Sequence, residues 1–306
     1  MNRTEPGWEL YRSFVAVVQE GSLSAAARSL GLTQPTLGRH IDELEASLSV
    51  GLFVRSRTGL APTQAAHDLL PHARAMASAA QALIRAASSE ATDEGGTVRL
   101  TASDVVGTEI LPSFLSAFHE AHPRIAIELV LSNRTEDLLQ READIAIRMV
   151  RPTQTALIAR KVGDVGLCLH ASPRYLNRRG RPDSLDELGA HSLIGFDRQT
   201  LSAKSIKAPD FFLQREHFSF RSDNDLAQLA ALRAGLGIGV CQQGVAAKFP
   251  ALDPVLPESL HFSLPVWLVM HEDMKASTRV RMLYDHLAES FVRYLSGKPQ
   301  KHDLPA

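Results

Sequence analysis

The first part of the chain carries an apolar pattern of helical period that is broken by glycine and by residues that cap helices. Four apolar positions recur at steps of three and four residues: Leu37, Ile41, Leu44 and Leu48. Such spacing predicts an amphipathic helix with one buried stripe. Ser22 and Thr33 stand where two successive helices would be capped, and Gly31 stands where the first would end. The pattern predicts two short helices joined by a tight turn.

A basic hairpin is predicted directly after this helix pair. Residues 52–60 read as two short strands with a turn at Gly59, and Arg55 and Arg57 lie near the tip. Two helices followed by such a hairpin are the layout of a winged helix-turn-helix. The second helix, residues 34–46, would then enter the major groove of DNA.

Candidate DNA contacts lie off the buried stripe, at the two helix starts and on the wing. Gln and Arg side chains read base edges, and Thr and Arg side chains also reach phosphates. Pro35 falls in the first turn of its helix, where a missing N–H costs little. The predicted DNA-binding set is Ser22, Thr33, Gln34, Pro35, Thr36, Arg39, His40, Arg55 and Arg57.

A long helix is predicted from Thr63 to about residue 88. Small residues repeat along it at seven-residue steps, namely Ala66, Ala73, Ala80 and Ala87. A seam of this period favours pairing with the same helix of a second subunit. The alternative is that the seam packs on the chain's own domain. Pro71 removes a helical hydrogen bond, so we expect a local kink there.

The rest of the chain alternates between strand and helix patterns after a polar, Gly-containing hinge at residues 88–96. The strands are predicted at 97–101, 125–131, 144–148, 166–170, 218–221 and 237–241, and the helices at 106–120, 135–141, 173–179 and 224–234. This alternation predicts parallel sheets covered by helices. About 200 residues of it exceed what one compact sheet needs, so we expect two lobes.

The chain resembles the LysR-type transcriptional regulators. In the first part the resemblance rests on Phe14, Val17, Gly21-Ser22-Leu23, Ala25-Ala26, Leu30, Gln34-Pro35-Thr36-Leu37, Arg39, Ile41, Leu44-Glu45, Leu48, Leu52-Phe53-Arg55 and Pro62-Thr63. In the second part it rests on Leu111-Pro112, Phe114, Phe118, His122-Pro123, Asp144-Ile145-Ala146-Ile147-Arg148, Ala171-Ser172-Pro173, Tyr175-Leu176, Asp186, Leu188, His191 and Ala234-Gly235-Leu236-Gly237-Ile238-Gly239. Gly38 departs from the family pattern, which usually has Ser at this position.

The resemblance implies an α+β multidomain fold with a winged helix-turn-helix at 1–62 and a linker helix and hinge at 63–94. It implies an α/β effector domain at 95–296, similar to type 2 periplasmic binding proteins. Lobe 1 would comprise residues 97–162 and 268–296 and lobe 2 residues 163–267, with a flexible tail at 297–306. The implied partners are promoter DNA, a small-molecule effector, a second subunit in a homodimer or homotetramer, and RNA polymerase.

The effector would bind between the lobes, where helix N-termini favour anionic or strongly polar groups. The candidate effector-binding residues are Ser103, Asp104, Arg148, Asp223, Asn224 and Gln242. Ser103 and Asp223 could instead cap their helices, and Arg148 could belong to a structural ion pair. Asp104 adds a negative charge beside the site and argues against an anionic effector.

Composition and the motifs that are missing narrow the function classes. The net charge is −1, and residues 1–92 hold as many acidic as basic side chains, so DNA binding would depend on local arginine clusters. We find no signal peptide and expect a cytoplasmic protein. Two cysteines give no metal or disulfide framework, and no cofactor is expected. A solute-binding protein, an enzyme using the cleft and a redox-sensing regulator remain as alternatives.

Overall fold

The structure, a computed structural model, describes residues 5–56, 59–87, 95–133, 143–152, 157–198, 214–248 and 251–297. The chain divides into two compact units, with a boundary near residue 91. Several predicted features lie outside the described residues: the helix at 135–141, Arg57 of the wing, hinge residues 88–94 and the tail from 298 onward.

The first unit contains four helices and a two-stranded hairpin among its described residues. The elements are α1 Trp8–Glu20, α2 Leu23–Leu30, α3 Gln34–Leu48, β1 Phe53–Ser56, β2 Gly59–Pro62 and α4 Gln64–Ala87. The strands β1 and β2 pair antiparallel. The predicted winged helix-turn-helix is therefore confirmed in its order of elements.

Local capping chemistry sets the helix ends of this unit. The Ser22 hydroxyl accepts a hydrogen bond from the Ala25 N–H, and the Thr33 hydroxyl accepts one from the Thr36 N–H. Gly31 ends α2 in the left-handed conformation, with φ of 68°. Glu45 makes a further link, because its Oε1 accepts from the N–H groups of Leu52 and Phe53. The carboxylate of α3 thus positions the start of the wing.

The long helix α4 begins inside the core of the first unit. Ala66 and Ala73 are fully buried there, together with Leu70. For these two alanines the prediction of an intermolecular seam is wrong, because the helix-turn-helix itself covers them. The row formed by Leu69, Met76 and Leu83 lies beside them, and it becomes exposed as the helix extends away from this core. The helix continues through Pro71.

The second unit alternates strands and helices. Its strands are β3 Gly96–Ala102, β4 Ile125–Leu131, β5 Ile145–Arg148, β6 Leu157–Ala171, β7 Leu193–Gly195, β8 Phe218–Arg221, β9 Ile238–Gln242, β10 Asp253–Val255 and β11 His261–His271. Its α-helices are α5 Leu111–Ala121, α6 Pro173–Arg179, α7 Asp225–Arg233, α8 Gln243–Ala246 and α9 Thr278–Leu295. A π-helix, Val106–Ile110, precedes α5. The single helix predicted at 106–120 is thus divided, next to Pro112, which cannot donate a backbone hydrogen bond.

The described strands of this unit form one mixed sheet in the order β4-β3-β5-β11-β6-β9-β7-β8, with β10 beside β6. The pairs β3–β4, β3–β5, β7–β8 and β7–β9 are parallel, as predicted. Around β6 and β11 every pairing is antiparallel. The expectation of parallel sheets is wrong here, because β11 returns beside β6 in the opposite direction after the elements from α6 to β10.

The strands β6 and β11 are the longest and join the two parallel groups. Their mutual register shifts between Val266 and Trp267, and opposite this point Gly163 has φ of 150°. The predicted lobe boundaries, between residues 162 and 163 and between residues 267 and 268, fall close to this point on both strands. The β3–β4–β5 group then belongs to lobe 1, and the β7–β8–β9 group to lobe 2.

Candidate DNA-binding face and effector cleft

The start of α3 is fixed by its contact with α2. The Ser24 hydroxyl donates a hydrogen bond to Oε1 of Gln34, at 2.8 Å. Gln34 is exposed in the first turn of α3. Because its oxygen is engaged with α2, the amide nitrogen is the end of Gln34 that can donate to a base.

The other candidates of the α3 start lie on its outer side. Pro35 and Arg39 are exposed, and Thr36 is half-buried. The Thr33 and Thr36 hydroxyls lie 2.8 Å apart, so both side chains belong to the capping arrangement of the helix. Four candidate side chains therefore lie within the first one and a half turns of α3, outside the buried stripe. They are Gln34, Pro35, Thr36 and Arg39.

His40 has a structural contact that the sequence did not indicate. Its Nδ1 lies 2.8 Å from the hydroxyl of Ser13, a buried residue of α1. The imidazole therefore links α3 to α1 through this atom, and only Nε2 could serve DNA. Arg55 lies on β1 opposite Leu60, and Arg57 lies outside the described residues.

The effector unit brings the starts of two helical segments together across the lobes. The side-chain nitrogen of Asn133, just after β4, donates to Oδ2 of Asp104 at 3.3 Å and to Oδ2 of Asp225 at 3.1 Å. Its oxygen accepts from the Asp104 N–H at 3.1 Å. Asp104 belongs to lobe 1, whereas Asp225 is the first residue of α7 in lobe 2. One amide thus bridges the two lobes.

The two carboxylates at this bridge repel each other. Burial raises the pKa of Asp225, and the nearby carboxylate of Asp104 raises it further, whereas the hydrogen bond from Asn133 acts in the opposite direction. Two carboxylates therefore face one amide at the meeting point of the lobes. This arrangement suits a ligand that brings hydrogen-bond donors or positive charge.

Ser103 and Arg148 lie at the carboxyl ends of neighbouring strands, β3 and β5. Arg148 ends β5, is buried, and donates to the Thr101 hydroxyl at 3.1 Å and to its neighbour's carbonyl, Ile147 O, at 3.0 Å. Ser103 follows β3, and its carbonyl accepts from the Gly107 N–H as the helical segment begins.

The lobe 2 candidates have mainly structural contacts. Oδ1 of Asp223 accepts from the N–H groups of Asp197 and Arg198, at 3.0 and 2.9 Å. Asn224 is the cap of α7, since its side-chain oxygen accepts from the Ala227 N–H at 2.8 Å. Oε1 of Gln242, the last residue of β9, is buried and has no hydrogen-bond partner within the described part of the chain.

A second contact between the lobes was missed from the sequence. Arg233, at the end of α7, donates to both carboxylate oxygens of Glu109 on the π-helix, at 2.8 and 2.7 Å. Lys248 of lobe 2 donates to the Glu109 carbonyl. The hydrogen bond from Arg233 is the largest cause that lowers the pKa of Glu109. Arginine–carboxylate pairs are strong in this bidentate geometry.

The cysteines do not form a reactive site in this structure. Cys168 and Cys241 lie opposite each other on β6 and β9, and both are buried. Burial raises the pKa of both thiols, in the case of Cys241 to about 12. Thiolate is the reactive form, so neither cysteine is activated for oxidation.

The described residues contain neither a metal-binding cluster nor a membrane-spanning helix. Within the ranges given above, no three His, Cys, Asp or Glu side chains are grouped to hold a metal ion. In the same ranges no helix has both the length and the apolar character needed to cross a membrane.

Comparison with known proteins assigns both units. Residues 8–67 match the family described as bacterial regulatory helix-turn-helix protein, lysR family, and residues 91–292 match the LysR substrate binding domain. A probable HTH-type transcriptional regulator, LtrA of Klebsiella pneumoniae, is 26% identical over 94% of this chain and 96% of its own. The HTH-type transcriptional activator TtdR of Escherichia coli is 27% identical over 94% of each chain.

Solved structures share the fold. CrgA of Neisseria meningitidis, a LysR-type transcriptional regulator, superposes with a TM-score of 0.59 at 24% identity, over 94% of this chain and 99% of that one. Full-length CbnR in complex with its target DNA superposes with a TM-score of 0.63 at 21% identity, over 93% of this chain and 99% of CbnR. With both of its domains matched in order over most of its length, this chain belongs to the LysR family of DNA-binding transcriptional regulators.

Proposed function

We propose that a small-molecule effector bound between the two lobes controls how this regulator binds DNA. The observation that carries the proposal is the bridge from Asp104 through Asn133 to Asp225, which joins the starts of helical segments from both lobes. An effector that inserts there must replace these hydrogen bonds. It would then have different affinities for the closed and open arrangements, which is the condition for a population shift.

The proposed effector site comprises Ser103, Asp104, Arg148, Asp223, Asn224 and Gln242, and we add Asn133 and Asp225. The two carboxylates favour effector groups that donate hydrogen bonds. Arg148 could instead receive a carboxylate of the effector, at the cost of its contact with Thr101. The contacts of Asp223 and Asn224 to backbone N–H groups support a role in shaping the site from its lobe 2 side.

On the DNA side, we propose that residues 34–46 of α3 enter the major groove. Gln34 and Arg39 would read base edges, and Ser22, Thr33, Thr36 and His40 would line the approach to the backbone. Arg55 and Arg57 on the wing would hold the backbone or the adjacent minor groove. Exposure of Gln34 and Arg39 supports these roles.

Two copies of the head are needed to contact paired half-sites, so we propose a homodimer through α4. The exposed row of Met76 and Leu83 supports this pairing. The family resemblance further suggests a tetramer on bent DNA, contact with RNA polymerase and a location in the cytoplasm.

The test uses the purified full chain and the DNA upstream of its own gene and of the divergent neighbour, at two salt concentrations. We expect saturable binding to an inverted repeat that persists at the higher salt concentration. A metabolite library is then screened on the same DNA, and each active compound is retested on Ser103→Ala.

The expected result is a compound that shifts DNA binding in the wild type but not in Ser103→Ala, with unchanged DNA affinity in its absence. Binding that depends on salt alone and ignores sequence would contradict site-specific recognition. Loss of folding in Ser103→Ala would instead assign Ser103 to the helix start.

A further inference from the structure

No packing contact of the described residues requires glycine at position 38. Gly38 lies in the interior of α3, where glycine is less favourable than alanine because its backbone loses more freedom on folding. Apart from its chain neighbours and the backbone of its own helix, a Cβ atom built on Gly38 would meet no atom of the described residues within 4 Å, and its φ lies outside the left-handed region. Neither a close approach of the protein nor a special backbone conformation therefore requires glycine here.

The empty position opens toward the expected DNA side of α3. Gly38 lines a cleft of about 520 Å³ between the start of α2, α3 and the β1–β2 hairpin. Gln34 lies one helical turn before Gly38 on the same side of the helix and also lines this cleft. The hydrogen bond from the Ser24 hydroxyl to Oε1 of Gln34, 2.8 Å long, holds the Gln34 side chain there. The missing side chain thus lies beside a side chain of the type that reads adenine.

We propose that Gly38 is a specificity-determining residue of DNA recognition. The absent side chain lets the edge of a base pair approach the backbone of α3 beside Gln34. This inference rests on the proposed insertion of α3 into the major groove. It explains a residue that lowers helix stability and that no contact within the described fold requires.

The experiment compares Gly38→Ala with the matched control Gly189→Ala in the full chain. Gly189 also lies in a helical segment, Asp186–Ala190, with no atom within 4 Å of an added Cβ. The probes are a duplex selected by the wild-type protein from random sequence and an unselected duplex of equal length and composition. Thermal unfolding is measured beside DNA affinity.

We expect Gly38→Ala to keep or raise the melting temperature and to lose about tenfold or more in affinity for the selected duplex. Its affinity for the unselected duplex stays within about twofold of wild type, as expected when backbone contacts are unchanged. Gly189→Ala leaves both affinities unchanged. A variant that is at least as stable as wild type but binds the selected duplex more weakly is expected if DNA occupies the space beside Gly38.

Three results would overturn the proposal. The first is an unchanged affinity of Gly38→Ala for the selected duplex. The second is an equal loss of affinity for both duplexes, which would place the contact on the DNA backbone, and the third is failure of both Gly38→Ala and Gly38→Ser to fold. A wild-type protein that selects no sequence at all would instead contradict the proposed function, so the two failures are distinguishable.

Discussion

The contact between Ser24 and Gln34 gives the DNA-binding face its sharpest residue-level test. If the amide of Gln34 reads a base, Gln34→Ala should relax the sequence preference at one position by about 1–3 kcal/mol. Competition titrations with duplexes substituted at each position measure this effect. A uniform weakening across all sequences would make Gln34 a phosphate contact instead.

Ser24→Ala tests whether the orientation of Gln34 matters. The variant removes the donor that holds Oε1 of Gln34, so we expect a smaller loss of preference at the same position as in Gln34→Ala. Ser29→Ala is the control, because the Ser29 hydroxyl donates to a backbone carbonyl of its own helix, Ala26 O. A change of preference at another position in Ser24→Ala would contradict the positioning role.

Residues whose partners are near in sequence could be predicted, and those with distant partners could not. The caps Ser22 and Thr33 were predicted correctly because each acts on a residue three positions away. Asn133 was missed because its partner Asp225 lies 92 positions further along the chain. The only available signal was that Asn133 follows a strand whose carboxyl end faces the cleft.

At the scale of elements, the ion pair of Glu109 and Arg233 couples the π-helix of lobe 1 to α7 of lobe 2. Its side chains are only 16% and 23% exposed, so solvent screens the pair less than a surface pair. A double-mutant cycle with Glu109→Gln and Arg233→Gln should give a coupling of about 1.5–3 kcal/mol in the free energy of unfolding of this unit.

The control cycle uses Arg99 and Glu128, an exposed pair within lobe 1. We expect it to give at most about 1 kcal/mol. Amide hydrogen exchange of residues 106–110 should accelerate in the Glu109 variant but not in the Glu128 variant. Equal coupling in both cycles would contradict the idea that the lobes are held together at Glu109.

The pH dependence of this pair has a definite sign. The pKa of Glu109 is lowered from an ordinary value of 4.5, chiefly by the hydrogen bond from Arg233. Its stabilising contribution is therefore fully present above pH 4.5 and is lost as the pH falls through the lower pKa of the folded state. The stability curves of wild type and Glu109→Gln should converge in that acidic range.

The alanine repeat of α4 could be predicted from the sequence only in part. The heptad of alanines in α4 was visible in the sequence, but its partner was not. Ala66 and Ala73 are covered by the helix-turn-helix, so this part of the periodic pattern packs within the subunit. Periodicity identifies a buried face but does not identify which surface covers it.

For the whole molecule, the remaining exposed row of α4 determines how two subunits could pair. Leu83 is 72% exposed and Met76 is 42% exposed, and Leu69 continues the row at the same seven-residue step. An unpartnered leucine at this level of exposure would gain about 1.5–3 kcal/mol if fully buried in a dimer. Leu83→Glu should therefore shift the protein from dimer to monomer, which sedimentation velocity measures.

The same variant should also bind paired half-sites at least about tenfold more weakly, because two linked heads bind far more tightly than one. His67→Glu is the control. It introduces the same side chain at an exposed position on another side of the same helix. If Leu83→Glu remained dimeric while its DNA affinity fell, α4 would not be the dimer interface and the loss would have to arise within the subunit. If both properties were unchanged, the two-fold symmetry that paired half-sites require would have to come from the effector unit.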